Sequence, residues 1–473
     1  MGKVSKIFWI ILACYIILGI ITFFTQPYSE FSQKTYAFLY APVVNFFTDW
    51  QLFYQVLFII GIVFVIVSDG LIIPLALWHY FKSKKLESKE KIKFWLPITI
   101  LIPAYNEEVN LARTIETCYK ARYQGDKEII VINDGSTDKT AEIAEKYVEK
   151  GWCELINRIN GGKTAAINTG LISARGEIIV VIDGDGIIKE DALEELVKKF
   201  QRPEVGAVAG NIKVGNRYNI VTKIQHLEYI RDINIPRRAF RMMNSVMIVP
   251  GPLGGFRRDL LYSVGRYDKD TKTEDFDVTV KILKSRHHVI EVSQTAIAYT
   301  ESPTTWSGLW KQRMRWYGGM FETLRKHKDA TTFSFAKYGN LGRFGGWYTF
   351  VSLTIIPVLE LFIFAGLVGW IVMLIMGLPL SLPLLLISFF SFIAIEFVLT
   401  IIALLMDGES LWYAAWAPAF IFPYRQFLNV IKIIAFFKVH VFKKPIKWVK
   451  VERKGLKLDE NAGVSAHEES GRS

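Results

Sequence analysis

Long apolar segments lie near both ends of this 473-residue chain, and they constrain the possible fold more than any other feature. Ile7–Phe24 carries no charge over 18 residues, and Leu52–Phe81 is almost uncharged. Phe344–Met406 contains only two charged residues and is interrupted at Gly377–Pro383, a pattern that predicts two helices. Because about 20 apolar residues cross a bilayer as a helix, the sequence predicts a multi-pass membrane protein and excludes a purely soluble enzyme.

Basic residues flank these apolar segments and predict their orientation. The chain has 57 Lys and Arg residues against 45 Asp and Glu, a net charge of +12. Residues 82–93 contain six lysines and two glutamates, and residues 438–457 contain eight basic residues and one acid. Lys and Arg accumulate on the cytoplasmic side of membrane helices. We therefore expect a cell-membrane protein with residues 25–50 outside, and a lipid bilayer rather than nucleic acid as the partner of the basic clusters.

The segment 411–442 is apolar but contains prolines and basic residues, which favours an interfacial or re-entrant segment. Glu360 and Glu396 are expected to face the protein interior or a wet cavity, because a carboxylate facing lipid is costly; the alternative is a position near a helix end. The predicted domains are 1–94 with two transmembrane helices and a short external loop, 95–330 as a soluble α/β domain, 331–442 as interfacial and transmembrane helices, and 443–473 as a basic cytoplasmic tail.

Between the apolar ends, short β-branched runs alternate with amphipathic segments. The runs predict strands at Ile98–Ile102, Glu128–Ile132 and Glu177–Ile182. Apolar residues spaced by three and four predict helices at 107–122, 138–150 and 163–174. This alternation predicts a parallel sheet, in which ligands bind beyond the carboxyl ends of the strands. Polar residues follow each predicted strand at that edge.

Two of these polar stretches suit a diphosphate. Asp183 and Asp185 flank a glycine after the third predicted strand, where paired carboxylates can bind Mg²⁺ or Mn²⁺; the alternative is a capped turn before a helix at 191–200. Gly161-Gly162-Lys163 opens a predicted helix, and helix N-terminal amides with a lysine suit a phosphate. Ordinary turn chemistry is the alternative for the two glycines.

Two further polar stretches contain carboxylates. Asp134 and Asp138 follow the second predicted strand, and Asp138 also suits the N-cap of the next helix. Thr273-Glu274-Asp275 precedes a helix predicted to begin near Val278. A carboxylate there could accept a proton from an acceptor hydroxyl, or it could cap that helix.

The string Gln312-Arg313-Met314-Arg315-Trp316 has the spacing of one helix face. Gln312, Arg315 and Trp316 stand at positions i, i+3 and i+4, so their side chains lie together on a helix. An amide, a guanidinium and an indole suit a diphosphate beside a stacked sugar ring. The alternative is a basic amphipathic helix on the membrane surface.

The order of these motifs resembles that of the processive family 2 glycosyltransferases, the membrane synthases of cellulose, chitin, hyaluronan and poly-N-acetylglucosamine. The resemblance covers roughly 98–330, and within the family the strings at 210–211, 254–257 and 308–316 are most similar to the biofilm poly-β-1,6-N-acetylglucosamine synthases. The motifs that carry it are PAYNEE (103–108), DGSTD (134–138), GGK (161–163), DGD (183–185), TED (273–275) and QRMRW (312–316).

The resemblance implies a Rossmann-like GT-A glycosyltransferase domain inserted between N-terminal and C-terminal transmembrane helices, with a defined role for each motif. It implies that UDP is bound by Ala104, Tyr105, Glu107, Asp134, Lys163 and Asp183. It implies Asp185 and Asp183 as the ligands of Mg²⁺ or Mn²⁺, and Asp275, with Glu274 beside it, as the catalytic base. Gln312, Arg315 and Trp316 would hold the diphosphate and the acceptor terminus.

We therefore expect an inverting enzyme that elongates a β-linked polysaccharide from a UDP-sugar, with UDP-N-acetylglucosamine as the expected donor. Coupling to polymer export and an accessory export subunit are expected with it. One alternative is a transferase that moves a single sugar onto polyprenyl phosphate, against which the QxxRW motif argues. Another is a transporter with a regulatory nucleotide-binding domain, against which the set of catalytic carboxylates argues.

Overall fold

The computed structural model describes residues 72–85, 91–331, 337–375, 382–446 and 454–456. Contacts divide the chain into two compact units, 67–358 with 393–473 and 1–66 with 359–392. All the predicted site residues lie in the first of these units. The predicted span Ile7–Phe24 and most of Leu52–Phe81 lie outside the described residues, whereas residues 72–85 form helix α1.

Eight strands form one mixed sheet in the order β3-β2-β1-β4-β7-β6-β8-β5. The neighbours β1, β2 and β4 are parallel, as predicted, and Ala104 at the end of β1 lies opposite Asn133 at the end of β2. The sheet as a whole is mixed, because β7, a strand that was not predicted, runs antiparallel between β4 and β6. The strands are β1 Ile98–Ala104, β2 Lys127–Asn133, β3 Glu154–Asn157, β4 Ile178–Val181, β5 Ile187–Ile188, β6 Val205–Val214, β7 Gly254–Arg257 and β8 Val289–Thr300.

Helices cover the sheet at the predicted positions. The three predicted between the first strands correspond to α2, α3 and α4, and the helix predicted at 191–200 is α5 followed by a 3₁₀ turn. The helices are α2 Leu111–Lys120, α3 Thr140–Glu149, α4 Lys163–Ser173, α5 Ala192–Val197, α6 Ile220–Glu228, α7 Ile235–Met242, α8 Arg258–Ser263, α9 Glu274–Ser285, α10 Trp306–Lys326, α11 Lys328–Thr331, α12 Gly346–Ile375, α13 Leu382–Asp407, α14 Ala417–Ala419 and α15 Arg425–Phe436.

The central strands are buried on both faces, which explains their uninterrupted β-branched sequences. Every residue of β1 is buried, and Ile100 and Ile102 join the main core. On α2 the residues Leu111, Ile115 and Cys118 recur at intervals of four and three and pack into the same core. Burial of this apolar face, rather than helix propensity, fixes the helix on the sheet.

The described residues include two stretches long and apolar enough to cross a membrane, Leu341–Gly369 and Leu411–Val441. The helices α12 and α13 occupy the predicted apolar region, and the break between them, 376–381, lies outside the described residues. Leu411–Val441 is not one regular helix, because Phe422 has a non-helical backbone and helical turns of three kinds follow one another. Its interfacial or re-entrant position in a membrane stays a prediction, as do the domain boundaries.

A buried charge network joins the end of α13 to the sheet. Lys213 Nζ on β6 lies 3.3 Å from Asp407 Oδ2 and 2.7 Å from Glu409 Oε1. Arg217 Nη1 lies 3.0 Å from Glu409 Oε2, and the same carboxylate oxygen lies 3.3 Å from His226 Nε2. Burial of two carboxylates is tolerated here because each has cationic partners.

Glu396 on α13 faces the protein interior, which confirms the expectation for this residue. Its side chain is fully buried and contacts Arg231 and Arg425, the latter at 3.1 Å. The guanidinium of Arg231 comes from a π-helical turn, Tyr229–Asn234, that links α6 to α7. Glu360 is half-buried and lies in the other compact unit, so its expected environment stays a prediction.

Residues 454–456, here called the tail clip, pack onto the edge of the sheet. Lys454 N donates to Glu301 Oε1 at 2.7 Å, and Leu456 N donates to Asn110 Oδ1 at 3.1 Å. The carbonyl oxygen of Leu456 accepts a hydrogen bond of 2.7 Å from Arg113. Leu456 is buried in a small cluster with Ile187 and Tyr299, the residues on β5 and β8 at that edge.

Candidate active site

Two loops beyond the carboxyl ends of β1 and β2 are joined by hydrogen bonds. Asn106 has φ +54° and its side-chain oxygen accepts from Thr137 N at 2.7 Å. Its own N–H donates to Ser136 Oγ at 2.9 Å, and Glu107 N donates to Thr140 Oγ1 at 2.8 Å. The predicted uridine residues Ala104, Tyr105 and Glu107 are thereby held on one rigid platform with the 134–138 loop.

Asp134 holds the glycine loop in front of α4. Its buried carboxylate accepts hydrogen bonds from Gly161 N at 3.1 Å and Gly162 N at 2.8 Å, and it also pairs with Arg158. Both carboxylate oxygens of Asp134 therefore bind the backbone of Gly161 and Gly162, the two residues before Lys163. Its predicted contact with uridine stays a prediction.

Lys163 joins three of the predicted motifs. Its Nζ lies 2.6 Å from Asp183 Oδ1 and 2.8 Å from Glu274 Oε1. The backbone at Gly251 passes so close that a Cβ there would lie 2.7 Å from Lys163 Nζ and 3.1 Å from Asp183 Oδ1. The motifs at 161–163, 183–185 and 273–275 therefore converge on one place, although 111 residues separate Lys163 from Glu274.

The carboxylates around Lys163 differ in their affinity for protons. Burial raises the pKa of the Asp183 carboxyl; Lys163 opposes this shift, and the nearby Asp185 charge adds to it. Burial also opposes ionisation of Glu274, yet Lys163 and Arg315 hold the pKa of Glu274 below its usual value. Burial and then the Glu274 charge raise the pKa of Asp275 to about 6. Asp275 is thus poised to exchange a proton near neutral pH.

Asp185 and Asp183 suit a divalent cation. Asp185 is buried and accepts a long hydrogen bond of 3.4 Å from Thr300 Oγ1. The turn between them is tight, since Gly186 N donates to Asp183 O at 2.8 Å and a Cβ on Gly184 would lie 3.1 Å from Glu107 Cγ. Two carboxylates on one tight turn form an oxygen-rich, negatively charged site, which fits Mg²⁺ or Mn²⁺.

A second acidic group lies elsewhere in the described part of the chain. Asp268, Asp270 and Asp277 bring carboxylate oxygens within 4.8 Å of one another. The amino group of Lys326 lies among them, at 2.6, 2.7 and 3.0 Å respectively. A lysine already balances this group, so its chemistry suits an ion-pair cluster that connects α9 with α10.

The predicted base lies on the first turn of α9. This helix begins at Glu274, four residues before the predicted start near Val278, and that prediction was wrong. Acidic residues stabilise the positive end of a helix dipole, so the polar string 274–277 is itself helical. Asp275 Oδ1 accepts from Phe276 N at 2.8 Å, while the side chain of Thr273 makes no capping bond.

The predicted acceptor motif lies on α10, which confirms the helical spacing. Gln312 is buried, whereas Arg315 and Trp316 are half-buried. The charge of Arg315 reaches Glu274, but within the described ranges no carboxylate forms an ion pair with Arg315. This leaves its guanidinium available to a ligand beside Lys163.

Sequence reasoning missed three residues around this site. Tyr267 is buried within electrostatic reach of Lys163, Glu274 and Asp275. Burial lowers the pKa of Arg237 to about 10, and the Asp275 charge partly opposes this shift. Arg313, inside the acceptor motif, is fully buried and contacts both Gln312 and Trp316. Of these three residues, only Arg313 could have been noticed in the sequence, because it lies between the motif residues Gln312 and Arg315.

Residues 99–265 match the family model "Glycosyl transferase family 2". The match ends before Glu274, so it covers the donor motifs but neither the predicted base nor the α10 motif. A span of 229 residues, 48% of this chain, is 35% identical to the poly-beta-1,6-N-acetyl-D-glucosamine synthase of Staphylococcus aureus (strain COL). The Staphylococcus epidermidis protein of the same name is 34% identical over the same length.

The chain spans about half the length of these curated relatives, since the match covers 55% of each. Among solved structures, the mannosyltransferase PcManGT from Pyrobaculum calidifontis, in complex with GDP-Man and Mn²⁺, has a similar fold. The TM-score is 0.55 at 20% sequence identity, and the match covers 82% of this chain and the whole of that one. A likeness at this identity concerns the fold alone.

Proposed function

We propose, from the premise that this chain is a glycosyltransferase with a family 2 domain, that it elongates a β-linked polysaccharide from UDP-N-acetylglucosamine. The single observation that carries the proposal is the contact of Lys163 with both Asp183 and Glu274. It brings the expected donor residues and the expected base to one site. The likeness to the poly-N-acetylglucosamine synthases of staphylococci supports the choice of sugar.

The reaction follows from the charges around the site. An acceptor hydroxyl attacks the anomeric carbon; the new oxygen–carbon bond forms while the bond from that carbon to the diphosphate oxygen breaks. The hydroxyl proton passes to Asp275, whose pKa of about 6 leaves it mostly ionised at neutral pH. The electron pair leaves with UDP, and Arg315 and Lys163 stabilise its negative charge.

Asp185 and Asp183 would hold the divalent cation in this proposal. The cation would supply charge stabilisation to the diphosphate. We further propose a membrane-embedded enzyme whose described apolar stretches, Leu341–Gly369 and Leu411–Val441, contact the bilayer. Polymer export, with an accessory subunit, is the role that this arrangement would serve.

The test is a product analysis with the full-length protein reconstituted in liposomes. We expect UDP-N-acetylglucosamine, out of a panel of UDP-sugars and GDP-mannose, to give UDP and a β-linked polymer when Mg²⁺ or Mn²⁺ is present. A product limited to one sugar on polyprenyl phosphate would replace this proposal with the single-transfer alternative. Absence of UDP release with every donor would favour a transporter.

The matched control for this assay is Asp275→Asn. An amide cannot accept the hydroxyl proton, and loss of a general base lowers turnover by roughly 10²–10⁴-fold. UDP affinity, measured by equilibrium binding, should stay within about twofold of wild type, because the proposed donor contacts are intact. Near-normal turnover of Asp275→Asn would remove Asp275 from the mechanism.

A further inference from the structure

Arg313 occupies a position that the acceptor motif itself does not explain. It stands between Gln312 and Arg315 on α10, and its side chain is fully buried. A buried guanidinium is costly unless its donors are satisfied and its charge is paired. Its partners therefore indicate what the burial accomplishes.

The first partner is Gln312. Arg313 Nη1 donates to Gln312 Oε1 at 2.8 Å, so the amide oxygen of Gln312 is already engaged. Its amide nitrogen has no partner within the part of the chain that the structure describes. Gln312 is thereby set to offer N–H donors, rather than an acceptor, to a bound oxygen.

The second partner is the indole of Trp316. The guanidinium carbon of Arg313 lies 4.0 Å from the centroid of the Trp316 ring, which is a stacking distance. Tyr229 borders the same pair, with its ring 6.4 Å from that of Trp316. One face of the indole is therefore occupied by Arg313, and the ring is held against rotation.

The guanidinium is itself held by an anion. Arg313 Nη2 lies 2.6 Å from Glu228 Oε2 at the end of α6, and the hydroxyl of Tyr424 donates to the same carboxylate oxygen. Tyr424 belongs to the irregular apolar stretch Leu411–Val441. The chain Tyr424–Glu228–Arg313 thus runs from an apolar segment to two residues of the acceptor motif.

We propose that Arg313, fixed by Glu228 and Tyr424, is a positioning residue that orients Trp316 and Gln312 for the acceptor sugar. This inference rests on the proposed function and assigns a task to the motif residue that the sequence left unassigned. A planar guanidinium can stack on the indole and donate in two directions at once, which a lysine ammonium cannot do. Arg313→Lys keeps the charge and removes that geometry.

The experiment measures acceptor and donor separately in the reconstituted full-length protein. The acceptor probe is a soluble β-1,6-linked N-acetylglucosamine oligosaccharide, and donor binding is measured as UDP affinity. Arg313→Lys should raise the acceptor KM roughly tenfold and leave UDP affinity within about twofold. Arg325→Lys is the matched control, because Arg325 lies on the same helix and also contacts the apolar stretch, at Val439 O, 3.2 Å away.

A double-mutant cycle tests whether Arg313 acts through the indole. In a Trp316→Ala background, Arg313→Lys should raise the acceptor KM by a smaller factor than in the wild type, because one of the two side chains that it orients is gone. Tyr424→Phe removes only one hydroxyl and should raise the acceptor KM in the same direction by a smaller factor. It also keeps the test decisive should Arg313→Lys fail to fold.

The outcomes distinguish the two proposals. If the wild-type protein transfers no sugar to any acceptor, the proposed function fails and this inference with it. If the wild type transfers but Arg313→Lys and Tyr424→Phe leave the acceptor KM unchanged, only the inference fails. Parallel loss of UDP affinity and acceptor affinity, with full additivity in the cycle, would assign Arg313 a purely structural role.

Discussion

Lys163 sets the charge balance of the candidate active site. Its amino group contacts carboxylates from two different motifs, and its charge also acts on Asp275. Asp275 is therefore influenced by two neighbours of opposite sign: Glu274 raises its pKa and Lys163 lowers it. Asp275 is the proposed general base, which must be ionised to act, so this balance would determine the pH range of the proposed reaction.

We expect the kcat/KM of the wild-type protein to fall as the pH decreases through about 6, the pKa of Asp275. Glu274→Gln removes a negative charge, so the pKa of Asp275 falls and the acid limb moves to lower pH. Lys163→Met removes a positive charge, so the limb moves to higher pH. Measured pH–rate profiles check both directions, with Asp259→Asn, a change at a 98% exposed side chain, as the control. Shifts of the same sign in both variants would contradict this account.

The helices α9 and α10 meet without room for an added methyl group. A Cβ on Gly319 of α10 would lie 2.7 Å from Thr273 Cγ2 and 2.9 Å from Thr273 N. Thr273 is two residues before Asp275, the proposed base. Farther along, Asp277 Oδ1 lies 2.9 Å from His327 Nε2 and 3.0 Å from Lys326 Nζ. These contacts therefore fix the distance between the predicted base and the predicted acceptor motif.

Gly319→Ala should move α9 and α10 apart near Asp275, the proposed general base. A misplacement of about 1 Å costs up to about 10²-fold in rate, so we expect turnover to drop by at least tenfold while UDP affinity is retained. Ser307→Ala places the same residue at an exposed position of α10 and should have no effect. Turnover of Gly319→Ala equal to that of Ser307→Ala would show that the contact between α9 and α10 tolerates displacement.

Elements with strong local patterns were predictable from the sequence. The β-branched runs predicted β1, β2 and β4, because burial of both sheet faces requires such residues. The apolar spacing predicted α2. The strand β7 was missed because Gly254-Gly255-Phe256-Arg257 has low β-propensity and is a strand only through its pairing with β4 and β6.

The candidate site also contains residues that the sequence predicted and residues that it did not. Motif spacing predicted Asp183, Asp185, Asp275 and Lys163 as functional residues, and the structure brings their motifs together. Tyr267 and Arg237 could not be found in this way, since their proximity to Asp275 exists only in the folded chain. Arg313 required knowledge of Glu228, which lies 85 residues away in the sequence.

At the scale of the whole molecule, the tail clip completes the edge of the α/β domain. Leu456 packs so closely on Gly215, the residue that follows β6, that a Cβ there would lie 2.5 Å from Leu456 Cδ2. The same leucine packs against Ile187, two residues after Asp185, and against Tyr299, which precedes Thr300. The clip therefore supports the edge of the sheet next to Asp185.

Leu456→Ala should lower the free energy of unfolding by about 2–5 kcal/mol, as for other buried leucines. Thermal unfolding of the detergent-solubilised protein and the rate of proteolysis near residue 456 measure this change. Ile172→Ala, at a 68% exposed position of α4, is the matched apolar control and should change neither measurement. Equal stability of the two variants would mean that the clip is dispensable.

The position of the tail clip in the sequence has a consequence for biosynthesis. Asn110 and Leu456, which share a hydrogen bond, are 346 residues apart. At 5–20 residues per second, the ribosome needs about 17–70 s to make the second after the first. Throughout that interval the nascent α/β domain has an unfinished edge, while the apolar segments 341–369 and 411–441 are being synthesised. The α/β domain thus acquires its complete sheet edge only after both apolar segments have been synthesised, so a chain that stalls before residue 454 lacks the clip.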